Sequence, residues 1–240
     1  EAITEWPATG PSQELAEFCA YYGVQWVHKE LDDNLAEARN AGIDAMREHH
    51  KEGVGWAWFM DPDEWVNWGE AAYAIRSMAE ISDSWGWMLK FRNIHNDGED
   101  FSYSERVSLC RLDKEGRMRM NGRVHEGFDK SLAAIQESGI HPRLRYAPFE
   151  SIHLGLNKTP EQIQKKLQYY TGLLLKQLEE DPLSPGSWTS LGLQLVNEGQ
   201  VEKAIECYER GILCAGNSYL PYKELGLVYL RLARQLFEQV

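Results

Sequence analysis

The tightest constraint in this chain is a spacing. Near the C-terminus, Trp188, Leu191, Gly192 and Leu195 recur 34 positions later as Tyr222, Leu225, Gly226 and Tyr229. A unit of that length holds two helices and buries its apolar side only by stacking on a neighbouring copy. Glycine at the matching place lets the two helices close to contact. Ala204, Tyr208 and Gly211 lie between the two copies, and Pro182 stands one period before Gly216. From Thr159 onward the pattern is entirely helical, and residues 160–180 read as the second half of an earlier, degenerate copy. Leu232, Leu236 and Phe237 read as the second helix of the copy begun near Tyr219. An end repeat needs a cap, so the polypeptide is expected to continue past Val240 with the rest of that helix and a capping helix.

Upstream of Thr159 short β-rich runs alternate with helical stretches. Val24 to Val27 is a short strand candidate. Asp33 or Asn34 can cap a helix running through Ala38, Ala41, Ile43 and Met46 to His49. Gly53 and Gly55 stop it, and Trp56 to Met60 is an apolar run short enough for a buried strand. Helix, glycine turn, buried strand is the rhythm of a parallel sheet. A helix is predicted from Gly69 to Ile81, then long strands from Trp85 to Ile94 and from Tyr103 to Leu112, joined through Asn96-Asp97-Gly98. Asp113 to Gly116 reads as a hairpin turn into a strand from Arg117 to Val124. The fold class is therefore α/β. Residues 1–158 form a mixed-sheet domain with flanking helices, and 159–240 an all-α tail.

Composition narrows the function. With 43% hydrophobic and 26% charged residues the chain is neither disordered nor collagenous. Its 25 Lys and Arg against 37 Asp and Glu give a net charge of −12, so no nucleic-acid partner is expected. An acidic protein that handles a phosphorylated substrate needs a metal ion or a local basic patch. Cys19, Cys110, Cys207 and Cys214 form no Cys-x-x-Cys pair and read as reduced thiols. No apolar run reaches the roughly 20 residues of a membrane span and no signal-peptide pattern is present, which points to the cytoplasm.

The sharpest chemical feature is Asp61-Pro62-Asp63, at the mouth of the Trp56–Met60 strand. In an extended chain, side chains two apart point the same way, so both carboxylates can face one divalent cation. Taken alone, such a triplet more often is a turn opened by Asp61, with Asp63 capping the next helix. Four segments in order decide more than one. Ala38-Arg39-Asn40 on a helix, the hydrophobic strand ending Asp61-Pro62-Asp63-Glu64, then Gly122-Arg123-Val124-His125-Glu126 and Ser151-Ile152-His153-Leu154-Gly155 resemble a subgroup of family-2 glycosyltransferases of GT-A fold. The 34-residue period resembles the tetratricopeptide repeat, which several members of that subgroup carry after the transferase domain.

The resemblance implies an inverting transferase moving a sugar from a nucleotide-diphosphate donor to a protein or glycan acceptor. By the family pattern Arg39, Asn40 and Asp61 contact the donor, while Asp61, Asp63 and His153 hold Mn²⁺ or Mg²⁺. Glu126 is the base that takes the acceptor proton, with His125 the runner-up. Trp65 and Trp68 could stack on a sugar, and the repeats offer a protein partner a surface. The family begins with strands and an acidic segment that hold the nucleotide base. Ala8 to Glu14 is an eroded version of that segment, so either roughly 40 residues precede this chain, by analogy with family length, or donor binding is lost. The alternative function is accordingly a degenerate transferase serving as a scaffold for protein–protein interaction. A metal-dependent hydrolase using Asp61, Asp63 and His153 would leave Ala38-Arg39-Asn40 and the repeats unexplained.

Overall fold

The computed structural model describes residues 13–22, 32–49, 55–81, 83–95, 98–154, 159–214 and 219–238. The strand predicted at 24–27, most of the acidic segment at 8–14 and Gly155 lie outside them. The chain divides into two compact units, Glu1–Asn157 and Lys158–Val240.

The first unit is mixed α/β. Its elements are α1 (Gln13–Tyr22), α2 (Leu35–His49), β1 (Gly55–Trp58), β2 (Glu64–Val66), α3 (Trp68–Ala79), β3 (Ser84–His95), β4 (Asp100–Leu112), α4 (Asp129–Glu137) and β5 (Arg143–His153). Of the two candidate caps, Asn34 caps α2. Its Oδ1 accepts from the Glu37 N–H at 3.2 Å, and its Nδ2 donates back to the Glu37 carboxylate at 3.1 Å. Asn67 caps α3 through the Gly69 N–H.

The strands form one sheet in the order β1-β4-β3-β5-β2. β3 and β5 are parallel; the other pairs are antiparallel. The parallel setting predicted for β1 is thus corrected: β1 runs antiparallel to β4, from Gly55 opposite Leu112 to Trp58 opposite Leu109. The helix–turn–strand rhythm says that a strand follows a helix, not which strand it meets. Here the returning limb of the β3–β4 hairpin extends far enough to take it. Neighbouring Leu109 and Cys110 on β4 point to opposite faces, as the two-residue period requires. One face buries Ile43, Ala57, Cys110, Met118 and Ile135. The other buries Ala71, Met78, Trp87, Leu89 and Phe149.

A second correction concerns residues 117–124. They alternate as predicted, with Met118, Met120 and Val124 buried, yet they form no strand beyond a single bridge between Asn121 and Gly127. Their backbone is paired by side chains. The Arg117 N–H donates to Asp113 at 3.0 Å, and the Arg119 N–H to Ser131 at 3.0 Å. Asn40 takes the Met120 N–H on its Oδ1 and donates to the Met120 carbonyl, both at 2.9 Å. Alternation reports a half-buried extended chain; it does not say what satisfies the backbone.

The second unit is all helix: α5 (Pro160–Glu180), α6 (Pro185–Asn197), α7 (Val201–Cys214) and α8 (Leu220–Glu238). Thr159 and Gln162 cap α5 reciprocally, with a proline in its first turn. A Cβ on Gly192 would stand 2.5 Å from the ring of the buried Tyr208, so α6 and α7 do close on a glycine. At Gly226, one period on, no atom of the described residues beyond its chain neighbours and the helix's own backbone lies within 4 Å of such a Cβ. The break predicted between two helices beyond Tyr219 is absent, because α8 runs unbroken from Leu220 to Glu238. Residues 227–238 contain neither glycine nor proline, so nothing interrupts it.

These two glycines are expected to respond oppositely to alanine. Gly192→Ala should cost about 1–3 kcal/mol, since the Tyr208 ring has no room to yield. Gly226→Ala should be neutral or stabilise by up to about 1 kcal/mol. Urea unfolding followed by far-UV circular dichroism measures both.

Candidate functional site

The chain leaves β1 at Trp58, still bonded to β4 through the Phe59 N–H, and reaches Asp61. Pro62 then turns it. The Glu64 N–H donates to the Asp61 carbonyl at 3.0 Å, and the Asp61 N–H donates to the Glu64 carboxylate at 3.1 Å. This is a β-turn with proline at its second position, where its fixed φ suits the turn. Asp61 to Asp63 is therefore not extended, and the shared facing expected of the two carboxylates gives way to separate partners.

Asp61 faces inward between two guanidiniums. Arg39 on α2 donates to Oδ1 at 2.9 Å, and Arg106 on β4 donates to Oδ2 at 3.1 Å. Arg39 also bonds Glu126 through Nε, and Arg106 bonds Glu64. Arg106 lies over the Phe91 ring, 4.5 Å from its centroid. The result is an alternating chain of charge, Glu126–Arg39–Asp61–Arg106–Glu64, drawn from α2, β4, the turn and the 121–127 loop. The Glu64 side chain is only 2% exposed. Burial alone would raise the Asp61 carboxyl, but Arg39 and Arg106 outweigh it and hold it below the ordinary aspartate value. Burial likewise opposes the charge on Arg39, and the Glu126 and Asp61 carboxylates more than restore it. Glu64 goes the other way: burial pushes its carboxyl up despite Arg106.

A second group lies across the turn. Antiparallel pairing sets Glu64 opposite His153, and the Leu154 N–H donates to the Asp63 carbonyl at 2.9 Å. Asp63 Oδ2 thereby comes within 3.5 Å of His153 Nε2. Parallel pairing sets Asn93 beside His153, and Asn93 Oδ1 lies 3.1 Å from His153 Nδ1. Asn93 Nδ2 donates to Ser104 Oγ at 3.0 Å.

The structure thus joins Arg39, Asp61 and Glu126 in one cluster, and Asp63 with His153 in the next. Asp61 stands with the arginines and not with His153. Asn40 fastens the 117–124 segment to α2 through Met120. His125 is exposed, at a positive φ of 52° in the loop that the Asn121–Gly127 bridge closes. Among the tryptophans, Trp85 and Trp87 are core, while Trp65 and Trp68 stay more than half exposed. A groove of about 510 Å³ lined by Tyr73, Met78, Ile81, Trp87 and Tyr146 includes none of the predicted site residues.

Arg106, Glu64 and Asn93 escaped the sequence reading. Asn93 had a signal: it continues the inward series Trp87, Leu89, Phe91 as its one polar member. Glu64 stands inside the acidic string, and only its burial distinguishes it. Arg106 is one polar residue among many on β4.

The chain matches no protein-family model, and no curated protein sequence matches it.

The ionic chain carries a pH signature. A lowered folded-state value means that Asp61 contributes stability fully above its ordinary value near about pH 4 and loses it as pH falls through the lowered one. Asp61→Asn should cost about 2 kcal/mol at neutral pH. Urea unfolding across the acid range should show that deficit shrinking below about pH 4. A deficit that does not vary with pH would mean that the charge on Asp61 contributes nothing.

Proposed function

We propose that the first unit transfers a sugar from a nucleotide-diphosphate donor to a protein or glycan acceptor, with inversion. One observation carries this reading. Segments around residues 39, 61–64, 126 and 153, singled out by their order along the chain, converge on the turn between β1 and β2 and the C-terminal end of β5.

Asp63 and His153 are the residues that would hold a divalent cation. Among the described residues no three His, Cys, Asp or Glu side chains group so as to hold a metal ion, so water and phosphate oxygens would complete its shell. One imidazole nitrogen and one carboxylate oxygen suit Mn²⁺, with Mg²⁺ the second choice. Such a cation would neutralise negative charge on a departing diphosphate. Arg39 and Arg106 stand beside that region, each shared between two of the carboxylates Asp61, Glu126 and Glu64. Glu126 is 11% exposed and oriented through its Oε1 by Arg39, leaving Oε2 to take the proton of the acceptor group. His125, turned to solvent, is the weaker candidate. Trp65 and Trp68 offer rings on which a sugar can stack. The helical unit, with Tyr222, Tyr229 and Leu230 exposed on α8, offers a surface to a protein acceptor or partner.

Titration calorimetry with a panel of nucleoside diphosphates, with and without Mn²⁺, tests the reading. The intact chain should show metal-dependent binding, and Asp63→Ala should abolish that part. Glu126→Gln should leave it unchanged while turnover falls about 10²-fold. A comparable fall in His125→Ala, with Glu126→Gln unaffected, would reverse the two roles. No nucleotide binding under any condition would favour the scaffold.

A further inference from the structure

The Asn93 amide is used at both ends. Nδ2 donates to Ser104 Oγ at 3.0 Å, and Oδ1 lies 3.1 Å from His153 Nδ1. An amide oxygen only accepts, so the proton of this contact belongs to Nδ1. A neutral imidazole carries one N–H, so Nε2 then holds a lone pair. That lone pair meets Asp63 Oδ2 at 3.5 Å. On the neutral ring two acceptors are then opposed, and a cation between them, whether a proton on Nε2 or a metal ion, turns the repulsion into a pair of bonds. Asn93 is 6% exposed, on the strand face that also buries Trp87, Leu89 and Phe91, and a buried amide there is costly unless both ends are bonded.

We infer that Asn93, steadied by Ser104, is a positioning residue that holds His153 with its proton on Nδ1 and presents Nε2 to a divalent cation shared with Asp63. This deepens the metal site proposed above and rests on it. Metal-ligating histidines commonly give their second N–H to an oxygen that fixes ring and tautomer, and loss of such a partner costs about 10–100-fold in metal affinity. Parallel pairing of β3 with β5 supplies the geometry, because it sets residue 93 directly beside residue 153.

The test reads the tautomer itself. On the full chain labelled with ¹⁵N-histidine, long-range ¹H–¹⁵N correlation on the neutral imidazole, near about pH 8, reports which nitrogen is protonated. His153→Gln identifies the signal. The wild type should show Nδ1–H. Asn93→Asp, which still offers an acceptor, should keep it, and Asn93→Leu should move the proton to Nε2. Affinity for Mn²⁺ alone, read by electron paramagnetic resonance, should fall about 10–100-fold in Asn93→Leu and only a few-fold in Asn93→Asp. Should Asn93→Leu fail to fold, Ser104→Ala replaces it: it frees the amide to turn, and the proton should shift in the same direction. Nε2–H in the wild type, or a tautomer that neither folded variant moves, would overturn the assignment. Nδ1–H in a wild type that binds no Mn²⁺ would uphold the role of Asn93 and overturn the metal site itself.

Discussion

The first unit is organised around a carboxylate shared by two guanidiniums. Asp61 takes Arg39 from the helix before β1 and Arg106 from a strand far along the chain, one on each oxygen. Neither arginine can move without stranding a partly buried charge, and leaving such a charge unpaired costs more than the pair contributes while intact. Each arginine also carries a second carboxylate. The position of Glu126 is therefore set by the same contact that fixes the turn at Pro62, although the two lie 64 residues apart in sequence. Substitutions along this chain of charge share partners, so their effects do not add.

What local pattern could reveal, and what it could not, divides along physical lines. Helix α2 and the long strands β3 and β4 were readable because a cap such as Asn34 and a run of β-forming residues are local, whereas α1 and α4 were not anticipated. The mixed α/β class followed from them. Pairing was less accessible. That β1 meets β4 antiparallel depends on the length of a hairpin elsewhere, and that residues 117–124 bond to side chains depends on Asn40 and Ser131, both distant in sequence. The unbroken α8 shows the converse case, in which local propensity outweighed the break suggested by the repeat.

The candidate site divides the same way. Arg39, Asp61, Asp63, Glu126 and His153 could be named from motif order, and the fold assembles them into two groups. That Asp61 and Asp63 part company was hidden, because it turns on whether Pro62 continues a strand or bends it. Asn93 and Arg106 could be named only once the register of β3 with β5 and the reach of Arg106 toward Asp61 were known. Register is a property of the whole sheet and leaves little trace in either strand.

The side-chain pairing of the 117–124 segment also bears on how this protein keeps to itself. An extended chain with unpaired N–H and C=O groups is a template on which a foreign strand can grow. Here the Met120 N–H and carbonyl are both taken by Asn40, and the Arg119 N–H and carbonyl both by Ser131. Four of the groups that an incoming strand would need are already bonded to residues that no backbone can displace in register. Asn40 and Ser131 thus occupy backbone positions that an open strand edge would otherwise offer to another chain.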